Sequence, residues 1–174
     1  MGKLKTQIIG YVLSRKTLRR QLNKLTKVLP GLRIASYDFV ITLGDTNAET
    51  NMYFAEYAKY FGKVRELFGL DYIPGFKEKV GHEFFLETID LYIKYNESLF
   101  LGDVLTIDIC VGNIESCSFD IFASFKKGDT VCATGIQKVA WCEYKMDEKL
   151  GIKVLRPVKI PEDVDALFRS SALF

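Results

Sequence analysis

Between Asn51 and Trp141 the apolar residues change their period once, from that of a helix to that of a strand. In NMYFAEYAKYFGKVRELF (51–68), Tyr53, Tyr57, Tyr60, Phe61, Val64, Leu67 and Phe68 fall on one helical stripe, with Glu56, Lys59, Lys63 and Glu66 opposite. Thr50 and Asn51 are suited to cap the start of this helix, and Gly69 its end. From Val80 the period is two. In ETIDLYIKY, Ile89, Leu91, Ile93 and Tyr95 alternate with Thr88, Asp90, Tyr92 and Lys94. VLTIDICV, Cys117–Phe125 and Val131–Trp141 repeat the pattern, the last two joined by a turn at Lys126–Asp129. Short turns between successive strands make the sheet mostly antiparallel. Ahead of the helix, IASYDFVITL (34–43) reads as another strand; after the sheet, LRPVKIP is extended and PEDVDALF a short helix. A helix of about 18 residues, about 27 Å long, therefore lies against one face of a sheet, an α+β plan.

The 174 residues leave room for one such domain and an appendage, and charge says where the appendage is. Residues 1–34 hold nine Lys or Arg and no acid, a charge of +9, whereas the remainder carries −7. The chain divides accordingly into a basic N-terminal helical extension, 1–34, and a main domain, 35–174. In the extension Ile9, Val12, Leu13, Leu18, Leu22 and Leu25 recur at helical intervals until Pro30-Gly31 stops them. Such an arm suits an acidic partner or, more plainly, is a solvated helix face. With Tyr11 as its one aromatic, it is poorly equipped to stack on nucleic-acid bases. No apolar run reaches the roughly 18 residues of a membrane span. The patch IIGYVL is short for a signal core and is followed by basic residues, so a cytoplasmic protein is expected. The four cysteines sit in strand-like stretches without a CxxC pair, and His82 is the single histidine, so no metal site is expected. His82 itself reads as a strand-edge residue.

Thr46-Asn47, Asn51-x-Tyr53, Tyr57, Gly62 and Arg65-Glu66-x-Phe68 form the gap-free pattern TN-x3-N-x-Y-x3-Y-x4-G-x2-RE-x-F. This pattern resembles that of hotdog thioesterases associated with enediyne polyketide synthases. GIQKVAWC (135–142) is similar to the last sheet strand of those proteins, and VLRPVKIPEDVDAL to their proline-bearing end. The likeness runs from Ser36 to the C-terminus and leaves the basic arm unmatched. It implies the hotdog fold, an antiparallel sheet wrapped around a long central helix. It implies hydrolysis of an acyl thioester, typically a β-ketoacyl polyene on an acyl carrier protein, with no metal or organic cofactor. It further implies a homodimer or homotetramer with active sites at the dimer interface. Coenzyme A thioesters are the other candidate substrates.

In the same resemblance, the enediyne branch lacks the loop acid of related hotdog thioesterases and works through an Asn, a Tyr and an Arg. Carried over, these are Asn47, Tyr57 and Arg65. Glu49 stands one or two positions from where related enzymes carry their acid, so it and Asp45 stay candidates for the base. Asn51, Tyr53, Phe54 and Phe61 are the expected substrate contacts. The chemistry stands on its own as well. Thioester hydrolysis needs donors where the oxyanion develops, and one such donor supplies about 3 kcal/mol. Asn47 offers an amide ahead of a helix N-terminus, and Arg65 puts a cation on an apolar stripe, costly unless it meets an anion or a hydrogen-bond network. Plainer readings remain: Asn47 as a cap, Tyr57 as core, Arg65 as half of a structural ion pair, Asp45 and Glu49 as solvated loop carboxylates. A non-catalytic acyl-binding scaffold and a hotdog dehydratase are the alternative functions; VGHEFF around His82 does not resemble the dehydratase motif.

Overall fold

The computed structural model describes residues 35–170, so the basic extension 1–34 lies outside the described residues. Strand β1 (Ala35–Val40) is followed by a 3-10 turn (Leu43–Asp45), helix α1 (Phe54–Tyr72) and the short α2 (Phe76–Lys79). Strands β2 (Phe85–Tyr95), β3 (Val104–Gly112), β4 (Ser118–Lys127), β5 (Thr130–Asp147) and β6 (Ile152–Pro157) come next, then α3 (Glu162–Ser170). All pairings are antiparallel, in the order β1-β3-β4-β5-β2, with β6 pairing the distal part of β5.

Alternation decides which face of the meander is apolar. Leu105, Ile107, Ile109 and Val111 of β3 and Phe119, Ile121, Ala123 and Phe125 of β4 are all buried on the side facing α1. Tyr57, Tyr60, Phe61, Val64 and Phe68 of α1 are buried against them. Tyr57 and Phe61 both meet Phe125 edge-on, with ring centroids 5.4 and 5.9 Å away. The helix approaches β5 so closely that a Cβ on Gly135 would stand 2.7 Å from the Phe61 ring. This is the hotdog architecture that the resemblance implies.

Three local expectations are corrected. The helix begins at Phe54, with Tyr53 as its N-cap residue, because Asn47–Asn51 closes on itself as a turn instead of leading straight in. Gly69 does not end the helix, which continues to Tyr72; a side chain at 69 would overlap Phe76, whose ring lies 2.4 Å from the Cβ position. In β2 the regular alternation breaks. The register against β5 shifts between Thr88 and Asp90, so Thr88 shares a face with Leu91 and Ile93, and Ile89 is left 52% exposed. The strand thus presents Leu86 and Thr88, then Leu91, Ile93 and Tyr95, to α1. His82 lies exposed in the turn before β2 and outside the strand.

β2 also sits away from its neighbour in sequence. The connection Asn96–Asp103 separates β2 from β3, and β2 pairs with β5 at the opposite side of the sheet. Its other edge has no strand partner among the described residues.

Candidate functional site

The loop before α1 is a closed turn. Asn47 N–H donates to Asn51 C=O (2.9 Å), Thr50 N–H donates to Asn47 C=O (3.0 Å), and Thr46 bridges Met52. Thr50 holds φ at 62°, a left-handed conformation that a β-branched residue adopts only under constraint. Within this turn Asn47 Oδ1 accepts from Glu49 N–H (2.9 Å), which leaves its exposed side-chain amide NH2 as the free end. Glu49 is exposed. Asn51 is half buried, and its Oδ1 has no hydrogen-bond partner.

Asp45 is already committed. Its carboxylate accepts from Thr42 N–H (2.8 Å) and Thr42 O–H (2.6 Å). Burial alone would raise its pKa, but the bonds from Thr42 and Tyr60 outweigh that and hold it below the ordinary value. A carboxylate so stabilised is a poor base. Tyr60 in turn is pushed up to about 12 by burial and by Asp45.

The remaining candidates divide between two cavities along α1. At its N-terminal end, a cavity of about 310 Å³ is lined by Met52, Phe54, Tyr57, Tyr95 and Asn96–Ser98. Tyr57 is 3% exposed and its ring stands 5.0 Å from that of Tyr95. Burial is the main cause that pushes its pKa up to about 12, so near neutral pH it is a hydroxyl donor and not a base. Phe54 is exposed and its carbonyl accepts from Tyr95 O–H (3.1 Å); Tyr53 is exposed beside it. Phe61 is fully buried under Gly135 and lines neither cavity.

Two turns further along, Arg65 lines a larger cavity of about 480 Å³ with Leu70, Phe76, Val80, Phe85 and Leu86, and with Glu66, Lys77 and Glu87. Eight residues at 1.5 Å each put Arg65 about 12 Å along the axis from Tyr57. The structure therefore places Asn47 and Tyr57 toward one end of the helix and Arg65 toward the other. The Arg65 side chain is only 16% exposed; Nη1 donates to Thr88 Oγ1 (2.9 Å), Nη2 stands 3.9 Å from Glu66, and Nε is buried without a partner. Burial lowers its pKa, against the opposing pull of Glu66 and Glu87. Thr88 Oγ1 also accepts from Gln137 Nε2 (3.0 Å).

Thr88 and Gln137 escape the sequence reading, which assigns Thr88 to the solvent side of a regular strand. The available signal was Leu86 and Leu91, five residues apart. Both can face a helix only if the strand between them is bulged.

The comparisons with known proteins agree with this fold. No curated protein matches the chain in sequence. Among solved structures, the dynemicin thioesterase, in a study of polyene binding, superposes with a TM-score of 0.71 at 22% identity, covering 80% of this chain and 97% of that one. A gentisyl-coenzyme A thioesterase gives 0.65 at 19% identity, covering 78% and 99%. A Staphylococcus aureus protein in complex with CoA gives 0.65 at 17%, covering 80% and 85%. These likenesses concern the fold. The model of one family, the thioesterase-like superfamily, matches residues 41–168, from the loop that holds Asn47 through α1 and the sheet to α3, and the chain belongs to that superfamily.

Proposed function

We propose that the protein hydrolyses an acyl thioester whose acyl chain is largely apolar and carries a polar oxygen near the reacting carbonyl, as a β-ketoacyl group does. The observation that carries this reading is Arg65, a cation 16% exposed in the wall of a mostly apolar cavity of about 480 Å³. A wholly apolar ligand would leave the buried Arg65 Nε without a hydrogen-bond partner, and a small polar one would leave the apolar wall wet. Asn47 supplies a free amide donor and Tyr57 a hydroxyl that stays protonated. Arg65 stands about 12 Å along α1 from Tyr57, so these donors and Arg65 act on one carbonyl only where the two ends of the helix meet across a dimer. There water attacks, and together they stabilise the negative charge that develops.

A homodimer is part of the proposal. The unpaired edge of β2 is 11 residues long, and β2 lends Phe85, Leu86 and Glu87 to one cavity and Tyr95 to the other. A second copy along that edge would wall both. The +9 extension suits an acidic acyl carrier protein, whose encounter it would accelerate in a salt-dependent way.

The test is thiol release from a panel of acyl-CoA and acyl-carrier-protein thioesters, with and without a β-keto group. Turnover by the wild type is expected. Asn47→Ala and Arg65→Ala should each lower kcat by about 100-fold or more with the fold retained. No thiol release from any member of the panel would overturn the proposal. An acyl-binding protein without turnover is the second reading, favoured by a loop in which Asp45 is committed and Glu49 is solvent-exposed. It predicts tight binding of acyl groups with no free acid.

A further inference from the structure

The hydroxyl of Thr88 occupies an unusual place in its hydrogen-bond network. Its oxygen accepts twice, from Arg65 Nη1 at 2.9 Å and from Gln137 Nε2 at 3.0 Å. Two donors fill the lone pairs of a hydroxyl oxygen, so its hydrogen has to point away from both. No hydrogen bond from that hydrogen to any described residue is found. Thr88 is exposed and directly follows Glu87, which lines the large cavity together with Arg65. Gln137 is 4% exposed, fixed in the middle of β5, and it gives up satisfaction of its own Oε1 while donating to Thr88. The β2 bulge turns Thr88 to this side at all.

Resting on the thioesterase reading, we propose that Thr88 is a further catalytic residue, donating its O–H to the acyl carbonyl oxygen as negative charge develops there. Arg65 and Gln137 are its positioning residues. Accepting from a guanidinium and an amide polarises the O–H bond, which makes it a stronger donor than a free hydroxyl. Arg65 then acts through Thr88 as well as through its field, and the orientation of the donor is set before substrate arrives.

The experiment compares Thr88→Val, Thr88→Ser, Gln137→Met and Gln137→Glu with the wild type in the full-length protein. Thr88→Val keeps the shape and loses the hydroxyl; kcat is expected to fall about 100-fold with KM little changed. Thr88→Ser loses a methyl and keeps the hydroxyl, and should retain most of the activity. Gln137→Met removes one of the two aligning donors, for a loss of about tenfold. Gln137→Glu changes the donor into an acceptor that captures the Thr88 hydrogen, and should lose more than Gln137→Met. A Thr88 that only anchors Arg65 would show the same order in the wild-type background but no difference once Arg65 is gone, so equal kcat for Thr88→Val and Thr88→Ser in an Arg65→Ala background overturns the proposal. Should the wild type hydrolyse nothing in the panel, the thioesterase reading falls separately. The decision then passes to binding of a CoA trifluoromethyl ketone, whose hydrate carries the tetrahedral oxygen of the attacked carbonyl. Thr88→Val must weaken that binding at least tenfold relative to Thr88→Ser, and equal affinities overturn the proposal.

Discussion

Asp45 and Thr50 hold the loop ahead of α1 in shape by opposite means, one by bonding and one under strain. The Asp45 carboxyl titrates below its ordinary value because the folded protein donates to it from Thr42 and Tyr60. Its stabilising effect is therefore complete above the unfolded value of about 4 and is lost as pH falls through the lower folded value. Asp45→Asn should cost about 1–3 kcal/mol in urea denaturation at pH 7, and the gap to wild type should close in acid. Thr50, at φ 62°, stores strain that glycine would not. Thr50→Gly should raise stability by up to about 1 kcal/mol, the gain being limited by the added freedom of the unfolded chain. The loop shows how far single residues can be read from sequence. Asn47, Tyr57 and Arg65 stand out only through the family resemblance, and their separation along α1 was not legible at all. That Asp45 is spent on Thr42 is invisible until the 3-10 turn is known, and Gln137 looks like any polar residue in a strand.

The glycines of α1 have unequal reasons to be there. At Gly62 a Cβ would meet nothing within 4 Å, whereas at Gly69 it would stand 2.4 Å from the Phe76 ring. Gly62→Ala should stabilise by about 0.5–1 kcal/mol through helix propensity. Gly69→Ala should destabilise by about 1–3 kcal/mol through overpacking, and thermal unfolding of the two variants should separate them cleanly. A glycine after a long apolar stripe signals a helix end in most sequences, and only the packing of α2 shows why this one does not. The same holds for β2. Period-two alternation identifies the strand but assumes an unbroken pleat. The extra residue at Ile89 reverses the face of everything before it, so Thr88 turns to the side of Arg65 and Ile89 leaves the core.

For the assembled fold, strands β1 to β5, helix position and the antiparallel pairing were legible because they follow from apolar periodicity, whereas the extended tail that joins β5 as β6 was not counted as a strand. The placement of β2 beside β5 was not, since no local residue pattern encodes which edge a strand joins. That edge carries the dimer expectation. If a second copy pairs along β2, Ile89→Lys should shift the protein from dimer to monomer in analytical ultracentrifugation, with unchanged far-UV circular dichroism and reduced turnover. The position of β2 also dictates a sequence of events in time. β3, β4 and β5 are joined by short turns and can form from local hairpins, whereas the Thr88–Gln137 contact closes 49 residues of chain. In stopped-flow experiments Gly128→Ala, at a turn glycine with φ 54°, should slow folding, and Gln137→Met should chiefly speed unfolding. Catalytic competence would then be the last property this chain acquires as it folds and the first it surrenders.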